Sequence, residues 1–244
     1  MPFSRKILAI DASTELCSVC WTDGARSIER RQDAGQRHSA LMLALVEAVL
    51  QEAGCRPADL DEVAFGAGPG SFTGLRIACG IAQGLAFGAG LQVRAVSSLL
   101  ALAEAATQPV GEAANVQARA PDSVIAALDA RMNEVYWAAY RRGSDGRWTE
   151  IVRPSVSAAG AIVLPALDES DNWVGAGNAF ARFAALSAAM PSRSRIDPAI
   201  EVTARAIASL ALTGHGELDL PERAMPAYIR DKVAMTTAER AARR

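Results

Sequence analysis

The chain has 244 residues, enough for one large domain or two small lobes with a substantial buried core. Half of the residues are hydrophobic and the formal net charge is −2, so the composition offers no electrostatic basis for unaided binding to nucleic acid or to a membrane surface. Four scattered cysteines and no predicted signal peptide indicate a reducing compartment. We therefore expect a cytoplasmic protein.

The N-terminal segment predicts a three-stranded meander. Ile7–Ile10 is a short apolar run, Asp11–Thr14 supplies turn residues, and Cys17–Trp21 resumes the strand pattern. Asp23-Gly24 marks a tight hairpin that leads into a third strand at Ser27–Gln32. The first strand thus ends in an acidic turn.

A helix is predicted at His38–Ala53, with Gly54 as its C-terminal stop. Between Ala40 and Leu50 only Glu47 is polar. A helix that is apolar on nearly its whole circumference must be covered on more than one side, and one sheet face is not enough.

The next segment, Gly66–Gly90, holds eight of the nineteen glycines. A strand at Leu60–Phe65 leads into a glycine-rich loop, which predicts an anion cradle at the start of the following helix; its residues are Gly68, Gly70, Ser71, Thr73 and Gly74. Within the helix, glycines recur every four residues and form a bare ridge, at roughly 1 kcal/mol each relative to alanine; they are Gly80, Gly84 and Gly88. The segment is either a phosphate site or a docking surface, and its charged and polar residues argue against a membrane span.

A strand at Leu91–Val96 and a helix at Ser97–Ala106 precede a linker at Gln108–Asp122. The first pattern then partly repeats, because Val124–Tyr140 is again strand, acidic turn and strand, with Asp129 in the place of Asp11. We therefore predict an α/β protein with a first lobe at 1–112, a smaller second lobe at 113–223, and residues 224–244 packing back on the first.

The second lobe is predicted to contain further short elements after its first hairpin. These are a hairpin at Gly143–Gly146, a short helix around Ser157–Val163, a strand and glycine loop at Trp173–Gly177, and helices at Phe180–Met190 and Thr203–Leu212. The basic tail Arg240–Arg244 is interpreted as a solvated end.

Few residues of the sequence indicate catalysis or metal binding. The two histidines, His38 and His215, have no second ligand at metal-binding spacing, and no catalytic triad can be assembled from them. Asp11 and Asp129 lie at the ends of equivalent strands. Either they orient a metal–phosphate complex or an attacking water, or each closes a β-turn through its own backbone; the sequence leaves both open.

Four motifs, in this order, resemble the TsaB family, also called YeaZ. They are Ile7-Leu8-Ala9-Ile10-Asp11-Ala12-Ser13-Thr14, Gly68-Pro69-Gly70-Ser71-Phe72-Thr73-Gly74-Leu75-Arg76, Asp129-Ala130-Arg131 and Pro226-Ala227-Tyr228-Ile229-Arg230. The resemblance implies a two-lobed actin/hexokinase/Hsp70-like (ASKHA) fold. It also implies a role in the bacterial complex that forms N6-threonylcarbamoyladenosine at position 37 of tRNAs reading codons that begin with A. Its partners would be a TsaD-type catalytic subunit and a TsaE-type ATPase, and tRNA would be met through the complex.

The resemblance further implies that this subunit has a degenerate nucleotide cleft and no catalytic or metal-binding residue. Met42 stands where TsaD-like proteins have the second histidine of a pair with His38, and Arg131 stands where the phosphate turn has glycine. Weak or absent ATP or ADP binding is expected in this chain, with ATP used by the complex. The vestigial nucleotide site would comprise Asp11, Ser13, Thr14, Asp129, Arg131, Gly175 and Gly177.

We expect the two over-apolar helices to lie side by side and to expose a docking face for the catalytic subunit, or for a second copy of this chain when that subunit is missing. The predicted interface residues are His38, Leu41, Leu45, Arg76, Gly80, Gln83, Gly84 and Phe87. The alternatives are an autonomous ATP-binding kinase or ATPase, an M22-type protease-like hydrolase, and a homodimeric binding module unrelated to tRNA.

Overall fold

The structure is a computed structural model that describes residues 5–33, 38–108, 121–166 and 172–230. Its strands form two mixed sheets. The first contains β1 (Ile7–Asp11), β2 (Leu16–Thr22), β3 (Ser27–Asp33), β4 (Glu62–Gly68), β5 (Gln92–Ser97) and β11 (Glu217–Asp219). The second contains β6 (Ser123–Asp129), β7 (Glu134–Arg142), β8 (Trp148–Ala158), β9 (Trp173–Ala176) and β10 (Arg195–Asp197).

Helices flank both sheets. They are α1 (His38–Ala53), α2 (Phe72–Ala89), α3 (Ser98–Ala105), α4 (Ala179–Arg182), α5 (Ala184–Ala188) and α6 (Ala204–Leu212). Hydroxyl side chains cap three of them: Ser71 accepts from Gly74 N at the start of α2, Ser97 from Leu100 N at α3, and Thr203 from Ala206 N at α6.

Five strands of the first sheet have the same order as the five strands of the second, and β11 is added at the edge of the first sheet, antiparallel to β5. In the first, β3, β2 and β1 form an antiparallel meander, and β4 and β5 continue in parallel from β1. In the second, β8, β7 and β6 form the meander, and β9 and β10 continue in parallel from β6. Asp11 and Asp129 are the last residues of the equivalent strands β1 and β6. The predicted two-lobed α/β fold with a repeated topology is confirmed.

The hydrophobic core continues from one lobe into the other. Helices α1 and α2 cover one face of the first sheet, where Leu8, Ile10 and Phe65 are buried. Helices α3 and α6 pack on each other on the opposite face, and their cluster includes Leu102 and Ile207 of the first lobe together with Tyr140 of the second. The α3–α6 pair is therefore the packed junction between the lobes.

Helix α2 is, among the described residues, the one helix long and apolar enough to cross a membrane by length and composition. Its apolar residues have a nearer explanation, because six of them are buried on the side that packs on β4. They are Gly74, Leu75, Ala78, Cys79, Ala82 and Ala86. We therefore interpret α2 as a helix that covers the first sheet.

The return of the chain to the first lobe starts earlier than residue 224. Helix α6 packs on β1, β2 and β4, and β11 pairs with β5, although both elements lie within the range 113–223 predicted as the second lobe. The boundary was misplaced because the apolar period of α6 predicts a buried face without indicating which sheet it covers.

Two predicted helices of the second lobe have a different structure. At Ser157–Val163 the chain stays in β8 up to Ala158, paired with Glu134 of β7, and continues in a short 3-10 turn at Ala159–Ala161. The segment Phe180–Met190 is divided into α4 and α5 at Phe183, whose backbone is extended and whose ring is buried. The tail Arg240–Arg244 and most of the linker Gln108–Asp122 lie outside the described residues.

Candidate functional site

A cavity of about 1030 Å³ opens between the lobes. The turn after β1 contributes Ser13, Thr14 and Glu15, and the turn after β6 contributes Asp129 and Arg131. Further lining residues come from the glycine loop, the start of α4, the loop before α6 and the C-terminal segment; they include Gly70, Ser71, Asn178, Glu201, Tyr228 and Arg230. The structure thus gathers six predicted site residues, namely Ser13, Thr14, Gly70, Ser71, Asp129 and Arg131, around one cavity.

Asp11 does not line this cavity. It is fully buried, and its Oδ2 accepts hydrogen bonds from the backbone N (3.2 Å) and Oγ (3.0 Å) of Ser13. Its Oδ1 has no hydrogen-bond partner among the described residues and lies against Gly66, where an added Cβ would be 2.0 Å away. Burial raises the pKa of the Asp11 carboxyl to about 7, although the Ser13 bonds act in the opposite direction. Asp11 is therefore placed inside the first sheet, and the predicted pair of cleft carboxylates is reduced to Asp129.

Asp129 is held by neighbouring groups. Its carboxylate accepts from Arg182 Nη1 at 2.7 Å and from the backbone N of Arg131 at 2.9 Å. Its own backbone N donates to Asn178 Oδ1 at 2.8 Å. Arg131 Nη2 in turn lies 3.3 Å from Oε1 of Glu15, across the cavity mouth. The bond from the backbone N of Arg131 is the turn-closing contact that the sequence left open as one of two roles.

The turn between β6 and β7 has an unusual backbone. Arg131, Met132 and Asn133 all have positive φ, at 62°, 52° and 63°. Such a run is unfavourable for residues with a Cβ, at roughly 1–2 kcal/mol each, so surrounding contacts must hold it. The Ala130 N to Glu134 O bond (2.9 Å) and the Glu134 N to Arg131 O bond (2.9 Å) close the turn.

The glycines of the loop before α2 allow close backbone packing. A Cβ at Gly70 would lie 2.2 Å from the carbonyl O of Ser13, and one at Gly74 would lie 1.8 Å from that of Ala12. Ser71 N donates to Ser13 O at 2.7 Å, and Ser71 Oγ caps Gly74 N at 3.2 Å. The carbonyl oxygens of Ala12 and Ser13 thus pack directly against the loop in which an anion cradle was predicted, and the backbone N–H of Ser71 is already bonded to one of them.

The other predicted glycines lie away from the cavity lining. Gly68 has a φ of 113° and packs under the carbonyl of Ala227. A Cβ at Gly175 would overlap the ring of Phe180, and one at Gly177 would lie 2.3 Å from Ala127 O. Thr73 is exposed in the first turn of α2. Close packing explains these glycines.

The glycine ridge of α2 is open. Apart from the nearby backbone of α2 itself, no described atom lies within 4 Å of a Cβ built at Gly80, Gly84 or Gly88. Phe87 on the same helix is 76% exposed, and Leu43 on the adjacent α1 is 55% exposed. We refer to these five residues as the α1–α2 face. Leu43 was missed from the sequence, although it shares a helix side with Ser39 and Glu47, the polar residues that mark the solvent side of α1.

The remaining predicted interface residues lie at the edge of this face or beneath it. Leu45 is buried in the core under α1, so its assignment to the surface was wrong, and Leu41 is half-buried. Arg76 is exposed, whereas Gln83 is half-buried and donates to Ala224 O at 3.0 Å. His38 begins α1, and its side chain lies outside the described residues.

Within the parts of the chain that the structure describes, no group of three or more His, Cys, Asp or Glu side chains is arranged to hold a metal ion. The four cysteines are buried and unpaired, and burial raises the pKa of Cys17 to about 11 and that of Cys20 to about 12.

Two lobes that repeat one strand order, joined at packed helices and separated by a cavity, define the actin/hexokinase/Hsp70-like class. A family profile described as "TsaD: tRNA N6-adenosine threonylcarbamoyltransferase" matches residues 30–238. The chain belongs to the TsaB (YeaZ) family within this class.

Curated relatives and solved structures support this family assignment. The tRNA threonylcarbamoyladenosine biosynthesis protein TsaB of Escherichia coli is 34% identical over 232 residues, which cover 94% of this chain and 96% of that protein. The protein of the same name from Haemophilus influenzae is 36% identical over 178 residues, or 70% of this chain and 72% of that protein. The structure of YeaZ from Pseudomonas aeruginosa superimposes with a TM-score of 0.77 at 34% identity, covering 92% of this chain and 99% of that one. A second structure, titled as an uncharacterized protein with similarity to peptidase YeaZ, gives 0.79 at 34% identity, covering 93% and 100%.

Proposed function

We propose that this chain is a non-catalytic subunit of the bacterial complex that forms N6-threonylcarbamoyladenosine in tRNAs reading codons that begin with A. Its relatives in E. coli and H. influenzae are named as biosynthesis proteins for this modification. In this proposal the chain binds a TsaD-type catalytic subunit through the α1–α2 face and supports it, and a TsaE-type ATPase joins the complex. It pairs with a second copy of itself when the catalytic subunit is missing, meets tRNA only through the complex, and works in the cytoplasm.

The open glycine ridge is the observation that carries this proposal. Three glycines inside one helix lower its intrinsic stability by roughly 1 kcal/mol each relative to alanine. No contact among the described residues offsets this, since nothing apart from the nearby backbone of α2 itself lies within 4 Å of the positions that a Cβ would take. A partner helix laid along the ridge would approach the α2 backbone closely, and Phe87 and Leu43 would supply exposed apolar anchors beside it.

The contacts of the cavity support a non-catalytic role. The carboxylate of Asp129 is engaged by arginines, Asp11 is buried away from the cavity, and carbonyl oxygens line the glycine loop. Among the described residues of the turn after β6, the carboxylate of Asp129 is therefore already engaged by Arg182 and Arg131 rather than free to orient a metal–phosphate complex. Binding of ATP or ADP by this chain is accordingly proposed to be weak or absent, with ATP consumed elsewhere in the complex.

Nucleotide binding by the isolated chain remains a second candidate function, because the cavity is large enough for a ligand of that size. Calorimetric titration of the purified chain with ATP and Mg²⁺ separates the two. Tight binding that Arg131→Ala abolishes would favour an autonomous ATP-binding protein, whereas heats indistinguishable from dilution favour the accessory role.

Two measurements on the native organism test the proposal. Affinity capture of the tagged chain should recover a larger two-lobed paralogue and a small P-loop ATPase. Deletion of the gene should remove threonylcarbamoyladenosine from digested tRNA, and re-expression of the chain should restore it. Wild-type levels of the modified nucleoside in the deletion strain would refute the proposal.

A further inference from the structure

The C-terminal segment 224–230 crosses from one lobe to the other. We call it the strap. It follows β11 without helix or strand structure, and Ala227, Tyr228, Ile229 and Arg230 line the mouth of the interlobe cavity. The proposed function assigns no role to it.

The first part of the strap is fixed to the first lobe. Ala224 O accepts from Gln83 Nε2 at 3.0 Å and from the Cys79 thiol at 3.4 Å. The backbone N of Ala227 donates to Ala67 O, at the end of β4, at 2.7 Å. These bonds attach the strap to the side of α2 and to the strand that precedes it.

A cluster of two aromatic rings and one guanidinium group then joins the strap to the exposed start of α2. It consists of Phe72, Arg76 and Tyr228, and we call it the stack. Arg76 Nε donates to the Tyr228 hydroxyl at 3.0 Å, and its guanidinium lies 3.8 Å from the ring centroid of Phe72. The rings of Phe72 and Tyr228 are 5.7 Å apart between centroids. Both rings are partly exposed, so a protein seated on the α1–α2 face and reaching Arg76 would cover them.

Two residues later the strap is fixed to the second lobe. Arg230 Nη2 donates to Ala130 O at 3.0 Å and pairs with the Glu134 carboxylate. Its guanidinium also lies 5.6 Å from the ring centroid of Tyr136. The Arg230 side chain is only 16% exposed. Both hydrogen-bonded residues flank the turn in which Arg131, Met132 and Asn133 have positive φ.

Among the described residues, an ion pair also crosses the cavity mouth beside the strap. It joins Arg131 to Glu15, two side chains that are mostly exposed, and such pairs contribute roughly 0–1 kcal/mol. Away from the cavity lining, the lobes are joined by the packed helices α3 and α6. The two lobes are thus joined both by the packed helices and by the strap.

We propose that the strap is a latch that holds the β6–β7 turn against the first lobe and links the α1–α2 face to the interlobe cavity. The route runs from Arg76 through Tyr228 to Arg230 and the turn. The link to a partner rests on the proposed function; the latch itself does not. A partner that covers the stack removes water from the Arg76–Tyr228 bond, strengthens it and tightens the latch.

Amide hydrogen exchange on the full-length chain tests the latch, with the Ala130 and Glu134 amides as reporters because both close the turn. Arg230→Ala should speed their exchange about tenfold, the effect of losing one buried charged hydrogen bond. Tyr228→Phe, which keeps the ring and removes the hydroxyl, should speed it about threefold. Arg56→Ala, which removes the exposed pair with Asp59 far from the strap in sequence, is the control and should change nothing at the turn. Unchanged exchange in both Arg230→Ala and Tyr228→Phe would overturn the latch.

A second arm uses the purified TsaD-type subunit. Its binding should slow exchange at the same two amides in the wild-type chain and leave them unaffected in Arg230→Ala. Binding with unchanged or faster exchange in the wild type would overturn the link between the face and the cavity while leaving the proposed function intact. Failure to bind at all would instead count against the proposed function, and the isolated-chain arm would still decide the latch.

Discussion

Replacing glycines of α2 by alanine is predicted to stabilise the fold at some positions and to destabilise it at another. Gly84→Ala places a methyl group in open space on an exposed helix, so we expect stabilisation by about 0.5–1 kcal/mol. Gly80→Ala and Gly88→Ala should behave alike, because their positions are equally open. Gly80 and Gly88 lie two helical turns apart, about 12 Å along the axis, so the increments of these two substitutions should add.

Gly74→Ala on the same helix should instead destabilise the fold. Its Cβ would lie 1.8 Å from the carbonyl O of Ala12, and the atom it meets is backbone that cannot rotate away. The turn after β1 must then shift, which we expect to destabilise the fold by about 1–3 kcal/mol.

Urea denaturation of the four single variants measures this contrast. The midpoint should rise for Gly80→Ala, Gly84→Ala and Gly88→Ala and fall for Gly74→Ala, with an unchanged slope showing that folded and denatured states are comparable. A Gly74→Ala variant as stable as the wild type, or a destabilised Gly84→Ala, would refute the division of these glycines into a packing set and an open ridge.

Three further predictions concern other parts of the chain. Leu45→Ala should lower the free energy of unfolding by about 2–5 kcal/mol because the side chain is buried, whereas Leu43→Ala should change it by less than about 0.5 kcal/mol and weaken partner binding instead, as denaturation and binding titrations would show. Because the folded-state pKa of Asp11 is about 7, above its usual value of 3.8, the folded protein binds the proton more tightly, so stability should fall as pH rises from about 4 to about 7; Asp11→Asn should flatten this slope, and an identical slope in the variant would contradict the assignment. Trp148→Phe leaves the buried Glu104 carboxylate without the indole N–H that donates to it at 2.7 Å, and should cost about 1–3 kcal/mol in the same denaturation assay.

Much of the fold follows from local patterns. The hairpin at Asp23-Gly24, the repeated strand–turn–strand unit and the four-residue spacing of the α2 glycines are short-range features, and the structure contains all three. Short-range features of this kind are set by turn chemistry and side-chain period, which the sequence displays directly.

The buried position of the Asp11 side chain could not be predicted from local patterns. Its carboxyl turns inward because β4 lies beside β1 and presents Gly66 there, a contact between residues more than fifty positions apart. Strand pairing decides on which side a strand-end residue lies, and no local pattern encodes it. The same limitation applies to α6, whose apolar face fits either sheet, and to the strap, which has no periodic pattern.

In the proposed function, the α1–α2 face binds the TsaD-type catalytic subunit. The most direct test is the dissociation constant of the purified chain for the TsaD-type subunit, measured for the wild type, Gly84→Leu and Gly160→Leu. Both glycines are exposed with open space around them, but Gly160 lies in the 3-10 turn of the second lobe, so it controls for the added side chain. We predict that Gly84→Leu folds normally and loses at least about a hundredfold in affinity, because the added side chain holds the partner off the ridge, while Gly160→Leu binds as the wild type does. Equal affinity of Gly84→Leu and the wild type would contradict the claim.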